Sequence, residues 1–371
     1  MKFRDAYLEK EFVLAASGTK IIPISINTPI IALDIIFDAK YGTAQELDDT
    51  PIYKEIDKIE VVDGSEVLYS LDMPEAQALN AYEMARLPYM ALVSKKNTAT
   101  KEKVTIRFGR GPYDTKYMLD PTRFDNLQLK ITYSFTVDAS NWLTNEQKLT
   151  VIAQTIEEGA PTPQGFFMNK EIYSWTTATS GDESIDLPKD FKYRMIILRK
   201  FYTGERVDEA FTNIKLTCDA DRYVPFNLKG SHLAIENLER FGYFSLTQKA
   251  MKQDTEIVYS PLADVKGVNP QVAADAKAII TPTIDADQIT LNQHTEGAAG
   301  SDAWTADTTD REIDVTSFGL QPHHTLCLPF GDIQNPDHMF DPALYESIKL
   351  KLTQGGTAGT GQIVVQQLRT Y

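Results

Sequence analysis

The chain has 371 residues, 42% of them apolar and 24% charged, which excludes wholesale disorder and, at about 150 residues per domain, predicts two domains or one domain doubled. Its 37 basic and 52 acidic side chains leave a net charge of −15, a field that repels phosphate backbones, so no direct nucleic-acid binding is expected. No apolar run approaches the length of about 18 that a membrane helix needs, and the opening MKFRDAYLEKEF lacks the apolar stretch of a secretory signal. Only Cys218 and Cys327 are present, too few for a disulfide framework or a four-ligand zinc site, and both are expected as buried thiols inside strands.

In chain order, residues 1–18 read as an N-terminal arm or short amphipathic helix. Phe3, Tyr7, Leu8 and Phe12 fall at helical spacing among Lys2, Arg4, Lys10 and Glu11, a foot suited to lipid or to a neighbouring subunit. Residues 19–160 then carry strand-like runs near 19–26, 30–38, 57–62, 66–71, 103–109, 127–136 and 147–156, with one or two further strands expected in 41–56 or 111–118. A helical segment, PEAQALNAYEMA, follows the hairpin around Asp63-Gly64, with Pro74 as its start signal. Gly, Pro and Thr cluster in 157–165, which places a domain boundary there. Residues 161–371 repeat the pattern, with runs near 166–175, 183–187, 193–202, 212–218, 222–228, 325–330, 346–353 and 362–369, and the helical SHLAIENLERF starting at Ser231.

The two halves are related in sequence. MLDPTRFDNLQLKIT (118–132) matches MFDPALYESIKLKLT (339–353), with Asp120-Pro121 recurring as Asp341-Pro342, 221 residues on. Asp followed by Pro is a cap and first position of a short helical turn, and the strand after it alternates apolar and polar residues in both halves. Upstream, Ile59, Val61, Val67, Tyr69 and Leu71 align with Leu216, Cys218, Val224, Phe226 and Leu228, and Asn80 recurs as Asn237. IRFG (106–109) echoes LPFG (328–331), and LTVIAQT (149–155) echoes IVVQQLR (363–369). Between its helix and its Asp-Pro turn the second half carries 64 extra residues, and the excess falls at about 252–322, an inserted loop with some strands of its own.

Eight short strands and one helix per half predict an all-β chain of two tandem eight-stranded jelly-roll β-sandwiches. The tandem sandwiches, each with a helix after its hairpin and a capped Asp-Pro turn before a late strand, resemble the double jelly-roll major capsid proteins of tailless icosahedral viruses. That resemblance implies a structural subunit of the virion, made in the host cytoplasm, that forms homotrimers of pseudo-hexagonal outline. It implies neighbouring capsomers and minor capsid proteins as partners, an outward tower built from the insertion, and an inner face that meets an internal membrane through the N-terminal segment.

Sites of chemistry are sparse. His232, His294, His323, His324 and His338 include no HExxH motif; the nearest metal candidate groups His338, Asp337 and Asp341 with His323 and His324. Asp48-Asp49, Asp219 with Asp221, and Asp285 with Asp287 offer hard oxygen ligands for calcium, although turn chemistry explains them equally. FGRG (108–111) lacks the Lys-Ser/Thr of a nucleotide loop. No catalytic, cofactor or metal residue is therefore assigned, and no enzyme activity is expected. The competing readings are a two-jelly-roll enzyme and a carbohydrate-binding spike with Trp142, Trp175 or Trp304 as stacking platforms. Tyr82, Phe241, Tyr243 and Phe244 are candidates for subunit contacts, at least half of them for core packing instead.

Overall fold

A computed structural model describes residues 1–43, 51–252, 255–272, 278–296, 304–306 and 311–371. In the first half, β1 (Lys2–Val13), β2 (Ser17–Pro23), β3 (Ile30–Lys40), β4 (Lys58–Asp63) and β5 (Glu66–Leu71) precede helix α1 (Met73–Met84). Two short strands, β6 (Met90–Ala91) and β7 (Val93–Ser94), lead into β8 (Ala99–Arg107), β9 (Leu127–Ser134) and β10 (Lys148–Glu158). The second half opens with β11 (Gly165–Thr176), β12 (Gly181–Asp186), β13 (Lys192–Phe201), the short helix α2 (Val207–Ala210), β14 (Phe211–Cys218), β15 (Tyr223–Leu228) and helix α3 (Gly230–Phe241). The insertion follows as β16 (Phe244–Lys252), β17 (Thr255–Tyr259), β18 (Leu262–Val272), β19 (Ala278–Asp285), β20 (Gln288–Glu296), β21 (Trp304–Ala306) and β22 (Arg311–Pro322). The second sandwich closes with β23 (Thr325–Pro329), β24 (Ile348–Gln354) and β25 (Thr360–Thr370).

Strand order establishes the architecture. The first half pairs β1-β10-β3-β8 in one sheet and β2-β9-β4-β5 in the other; the second half pairs β11-β25-β13-β23 and β12-β24-β14-β15. Numbered within its own half, each sandwich reads 1-8-3-6 over 2-7-4-5, the jelly-roll order, so the all-β double jelly roll expected from the sequence is the observed fold. Alternation does the local work: in β9, Leu127, Leu129, Ile131 and Tyr133 are buried, and in β24, Ile348, Leu350 and Leu352 are, each set facing its sandwich core.

The N terminus departs from the expected amphipathic helix. Lys2–Val13 is an extended strand paired antiparallel with β10 from Lys2 opposite Glu158 to Val13 opposite Lys148. The ladder with β10 satisfies the backbone groups along one of its edges, and this strand, not one in 41–56 or 111–118, is the eighth of the first sandwich; among the described residues those two stretches hold a 3-10 turn at Ile52–Lys54 and an isolated bridge from Tyr41 to Trp142.

The repeat is reproduced to the level of single bonds. Asp120 and Asp341 both cap a 3-10 turn, accepting from the N–H groups of Thr122 and Ala343 at 3.1 Å each, with near-identical backbone angles (φ −97° and −93°, ψ 100° and 102°). The Asn80 amide on α1 brackets the Thr105 backbone of β8, donating to its C=O at 2.7 Å and accepting from its N–H at 2.7 Å. Asn237 on α3 brackets Cys327 of β23 in the same way at 2.8 Å and 2.8 Å. Two of the sequence alignments shift by two residues. Ile59, opposite Leu71 and Ile131, corresponds to Ile214, opposite Leu228 and Leu352, because the second hairpin turn is longer. Matching bulges in β3 and β13 show that 151–157, not 149–155, corresponds to 363–369: β3 slips against β10 between Gln154 and Thr155, and β13 slips against β25 between Gln366 and Gln367.

Both helices begin by different means. Asp72 and Glu75 form a reciprocal capping box at the start of α1, with Pro74 in the first turn as expected. Ser231 is not the cap of α3; Lys229 precedes the helix without a side-chain cap, and Gly230 lies so close to Phe211 and Asp208 that a Cβ would sit 2.1 Å from the Phe211 carbonyl oxygen. Replacing Asn80 or Asn237 by Ala strips two hydrogen bonds from a buried strand and leaves its backbone groups unpaired. Each substitution is expected to destabilise the fold by about 2–4 kcal/mol in urea titrations, with Asn→Asp changes intermediate.

Candidate assembly surface

The two sandwiches are joined along a seam built from strands of both halves. β5 and β11 run parallel, Tyr69 opposite Asn169 and Ser70 opposite Lys170, so one eight-stranded sheet crosses from the first half into the second. Helix α1 lies against this seam and is buried from Met73 to Glu83, which explains why its sequence carries no clean polar face. Its Tyr82 hydroxyl donates to the Thr325 carbonyl of β23 at 2.8 Å.

Arg194 of β13 is the central cross-link, at 1% exposure. Its guanidinium donates to the Ile333 carbonyl (2.7 Å) and the Gln366 amide oxygen (2.9 Å) in the second half, and to the Arg110 carbonyl (2.8 Å) in the first. It also lies over the Phe167 ring at 4.8 Å and 3.8 Å from the Glu83 carboxylate, which itself accepts from Arg107 at 3.1 Å. Burial pushes Arg194 down to about 10 against the opposing pull of Glu83, so it stays a cation at neutral pH. Five residues along, Arg199 reaches Asp72 at 3.2 Å, tying the cap of α1 to the second sandwich. Burial, and next Asp72, hold the Glu75 carboxyl well above the usual range. At the rim, Arg369 pairs with Glu66, and the Tyr371 hydroxyl accepts from the Asp120 N–H at 2.6 Å while donating to the Met118 carbonyl at 3.1 Å.

The insertion stands on a second buried polar cluster. Its strands form the sheets β18-β22-β16-β7 and β17-β20-β19, so the short β7 of the first half is drawn into the inserted structure, parallel to β16. At its base, His323 and His324 are buried with left-handed backbone angles (φ 49° and 59°). The His324 Nε2 lies 3.3 Å from Asp287, whose carboxylate also accepts from the Gly204 N–H at 2.7 Å; His323 packs edge-on against Tyr53 at 4.8 Å, and its carbonyl accepts from Arg199. Burial, then Arg199, lowers His323 well below its ordinary value; burial lowers His324 against the opposing pull of Asp287.

The residues singled out by sequence fall mostly into structural roles. His338 sits in a separate 3-10 turn, its Nδ1 accepting from the Asp332 N–H at 3.0 Å, so it does not join His323 and His324. Among the described residues no three His, Cys, Asp or Glu side chains are grouped to hold a metal ion. Asp219 accepts from the Glu346 and Ser347 N–H groups, and Asp221 from Lys215 and Thr217, which is turn chemistry; Asp48-Asp49 lie outside the described residues. Trp142 is buried in a stack with Tyr41 (4.4 Å), and Trp175 is half-buried between Tyr173 and Phe211 with its N–H donated to Gln354. Tyr82, Phe241 and Phe244 are core residues, whereas Tyr243 is exposed against Phe318. Cys218 and Cys327 are both buried free thiols. Sequence reasoning missed Arg194 and Arg199, although two arginines inside the apolar run KYRMIILRKF were the available signal.

Removing the Arg194 side chain (Arg194→Ala) leaves Glu83 buried and under-compensated and should cost about 3–5 kcal/mol in chemical unfolding, whereas Arg369→Ala, on a partly exposed pair, should cost under about 1 kcal/mol. The unfolded chain protonates His323 and His324 near their ordinary value of 6.5 while the folded chain resists it, so their contribution is complete above about pH 6.5 and is lost as pH falls below it. The melting temperature should accordingly drop from pH 7 to pH 5, and His323→Gln with His324→Gln should flatten that slope.

No family model matches the chain, and no curated protein matches it by sequence. Solved structures match it over nearly its whole length. The major capsid protein of Sulfolobus turreted icosahedral virus is similar with a TM-score of 0.60 at 12% identity, over 99% of this chain and 96% of that one. The major capsid protein P2 of bacteriophage PM2 is similar with a TM-score of 0.55 at 11% identity, over 100% and 98% of the two chains. The PBCV-1 virus capsid follows at 0.50 and 9% identity, covering 100% of this chain and 97% of that one. The chain thus has the double jelly-roll fold seen in the major capsid proteins of tailless icosahedral viruses.

Proposed function

We propose that the chain is a major capsid protein, a non-enzymatic building block of an icosahedral virion, working as a homotrimer whose six sandwiches give a pseudo-hexagonal capsomer. The single observation that carries this reading is the match of the whole doubled architecture, not of one sandwich, to major capsid proteins of three viruses. The seam supports it too, because one buried and one half-buried ion pair and a continuous sheet join the two sandwiches, as a tile requires. In this assignment residues 19–160 and 161–371, with β1 added to the first, are the two domains, and the inserted strands form a tower on the outer surface. Neighbouring capsomers and minor capsid proteins are the partners, with the N-terminal segment toward the particle interior and any membrane there.

Trimer contacts in such a block should bury beyond about 2,000 Å² and include apolar side chains. Exposed Phe3, Tyr7, Tyr113, Tyr243 and Leu344 are available for them. The purified protein is expected to sediment as a trimer or larger, and electron micrographs of the particle containing it to display capsomers of six-cornered outline. A stable monomer that hydrolyses a glycan or peptide would overturn the reading.

A further inference from the structure

The seam joins two halves of a repeat, so each strand in it has a counterpart elsewhere in the chain. Tyr69 and Ser70 of β5 correspond to Phe226 and Asn227 of β15, since Leu71 opposite Ile59 matches Leu228 opposite Ile214. Asn169 and Lys170 of β11 correspond to Asp5 and Ala6 of β1, and two independent features agree on it. β11 slips against β25 between Glu171 and Tyr173, and β1 slips against β10 between Tyr7 and Glu9. Asn169 lies opposite Gln366 and Asp5 opposite Gln154, the two glutamines that mark the matching slip in the neighbouring ladders.

Where β5 and β11 meet inside the chain, both are covered. Their counterparts are not: among the described residues, β1 and β15 are each the end strand of a sheet, with one free edge. Phe167 on β11 is 1% exposed and its counterpart Phe3 on β1 is 48% exposed. Met168 and Asn169 are buried while Arg4 and Asp5 are exposed, and Leu68 and Tyr69 on β5 are buried while Pro225 and Phe226 on β15 are only half-buried. A long open edge strand of this kind invites pairing with another chain. The two uncovered strands are the same two types that already bind each other at the seam.

We infer that β15 of one chain pairs in parallel with β1 of a second copy of the same chain, Phe226 opposite Asp5 and Asn227 opposite Ala6, so that the contact between chains repeats the contact within each chain. The contact is head-to-tail, using different surfaces on its two sides, and therefore closes into a ring or runs on as a filament. This inference rests on the trimer reading above, in which six equivalent seams, three within chains and three between them, close the ring at three chains.

The test is cysteine cross-linking in the full chain, where the native Cys218 and Cys327 are buried and give little background. Ser70→Cys with Lys170→Cys is the positive control, since that pair faces across the internal seam and should form an intrachain disulfide. Ala6→Cys with Asn227→Cys should yield, on oxidation, interchain-linked dimers and trimers and a ladder that stops at three, while either single variant yields no such ladder. Asp5→Cys with Phe226→Cys, the adjacent facing pair, repeats the measurement if the first variant fails to fold. A protein that sediments as a trimer but gives no more interchain product in both double variants than in the single ones overturns the strand pairing and leaves the capsomer reading intact. A chain that stays monomeric at all concentrations overturns both, and a ladder extending well past three chains overturns the closed ring.

Discussion

A parallel pairing of only a few residues, Tyr69 and Ser70 against Asn169 and Lys170, sets the relation between the two sandwiches, and buried side chains make it rigid. Short parallel ladders are weak on their own. Here the ladder is backed by Arg194, whose donors are shared between carbonyls of both halves, and by Arg199 on the cap of α1. A cation buried this deeply is tolerated only where its charge and its N–H groups are all answered. The cost of any relative movement of the sandwiches is therefore a set of charged groups left without partners. Hydrophobic contact alone would let two smooth faces slide; these directional bonds do not.

Much of the fold was legible in the sequence because strands alternate and a duplicated chain states its pattern twice. Asp120 and Asp341 were recognisable, and their turns superimpose in conformation, because a cap followed by proline admits few alternatives. The N terminus misled because Phe3, Tyr7 and Phe12 satisfy a helical spacing, and periodicity cannot register that β10 offers an open ladder to pair with. The seam was not legible for a related reason. Glu83 and Arg194 lie on separate elements that meet only after both sandwiches form, and neither carries a local signal of its partner. Among the surface features, exposed Phe3 gained meaning only once its buried counterpart Phe167 was known.

The insertion illustrates how a duplicated unit diverges without losing its frame. Both halves keep the asparagine bracket from helix to strand, Asn80 on Thr105 and Asn237 on Cys327, and the additional residues enter between those fixed points. The inserted sheet then borrows β7 from the corresponding connection of the other half. Its root rests on imidazoles that are kept neutral by their surroundings, next to Arg199, which also serves the seam. Acidity at the root is thus felt close to the groups that hold the sandwiches together.

The position of β25 governs the order in which the molecule can be completed. It lies between β11 and β13 in the central sheet, although β11 precedes it in the chain by nearly the whole length of the second sandwich. Until it slots in, those two strands present unsatisfied backbone rims to solvent, and the sandwich is an open clasp. Closure of so distant a contact is intrinsically slow. A chain in which β25 has not yet docked therefore lacks the middle of its central sheet, and the final form of the second sandwich waits on that one late insertion.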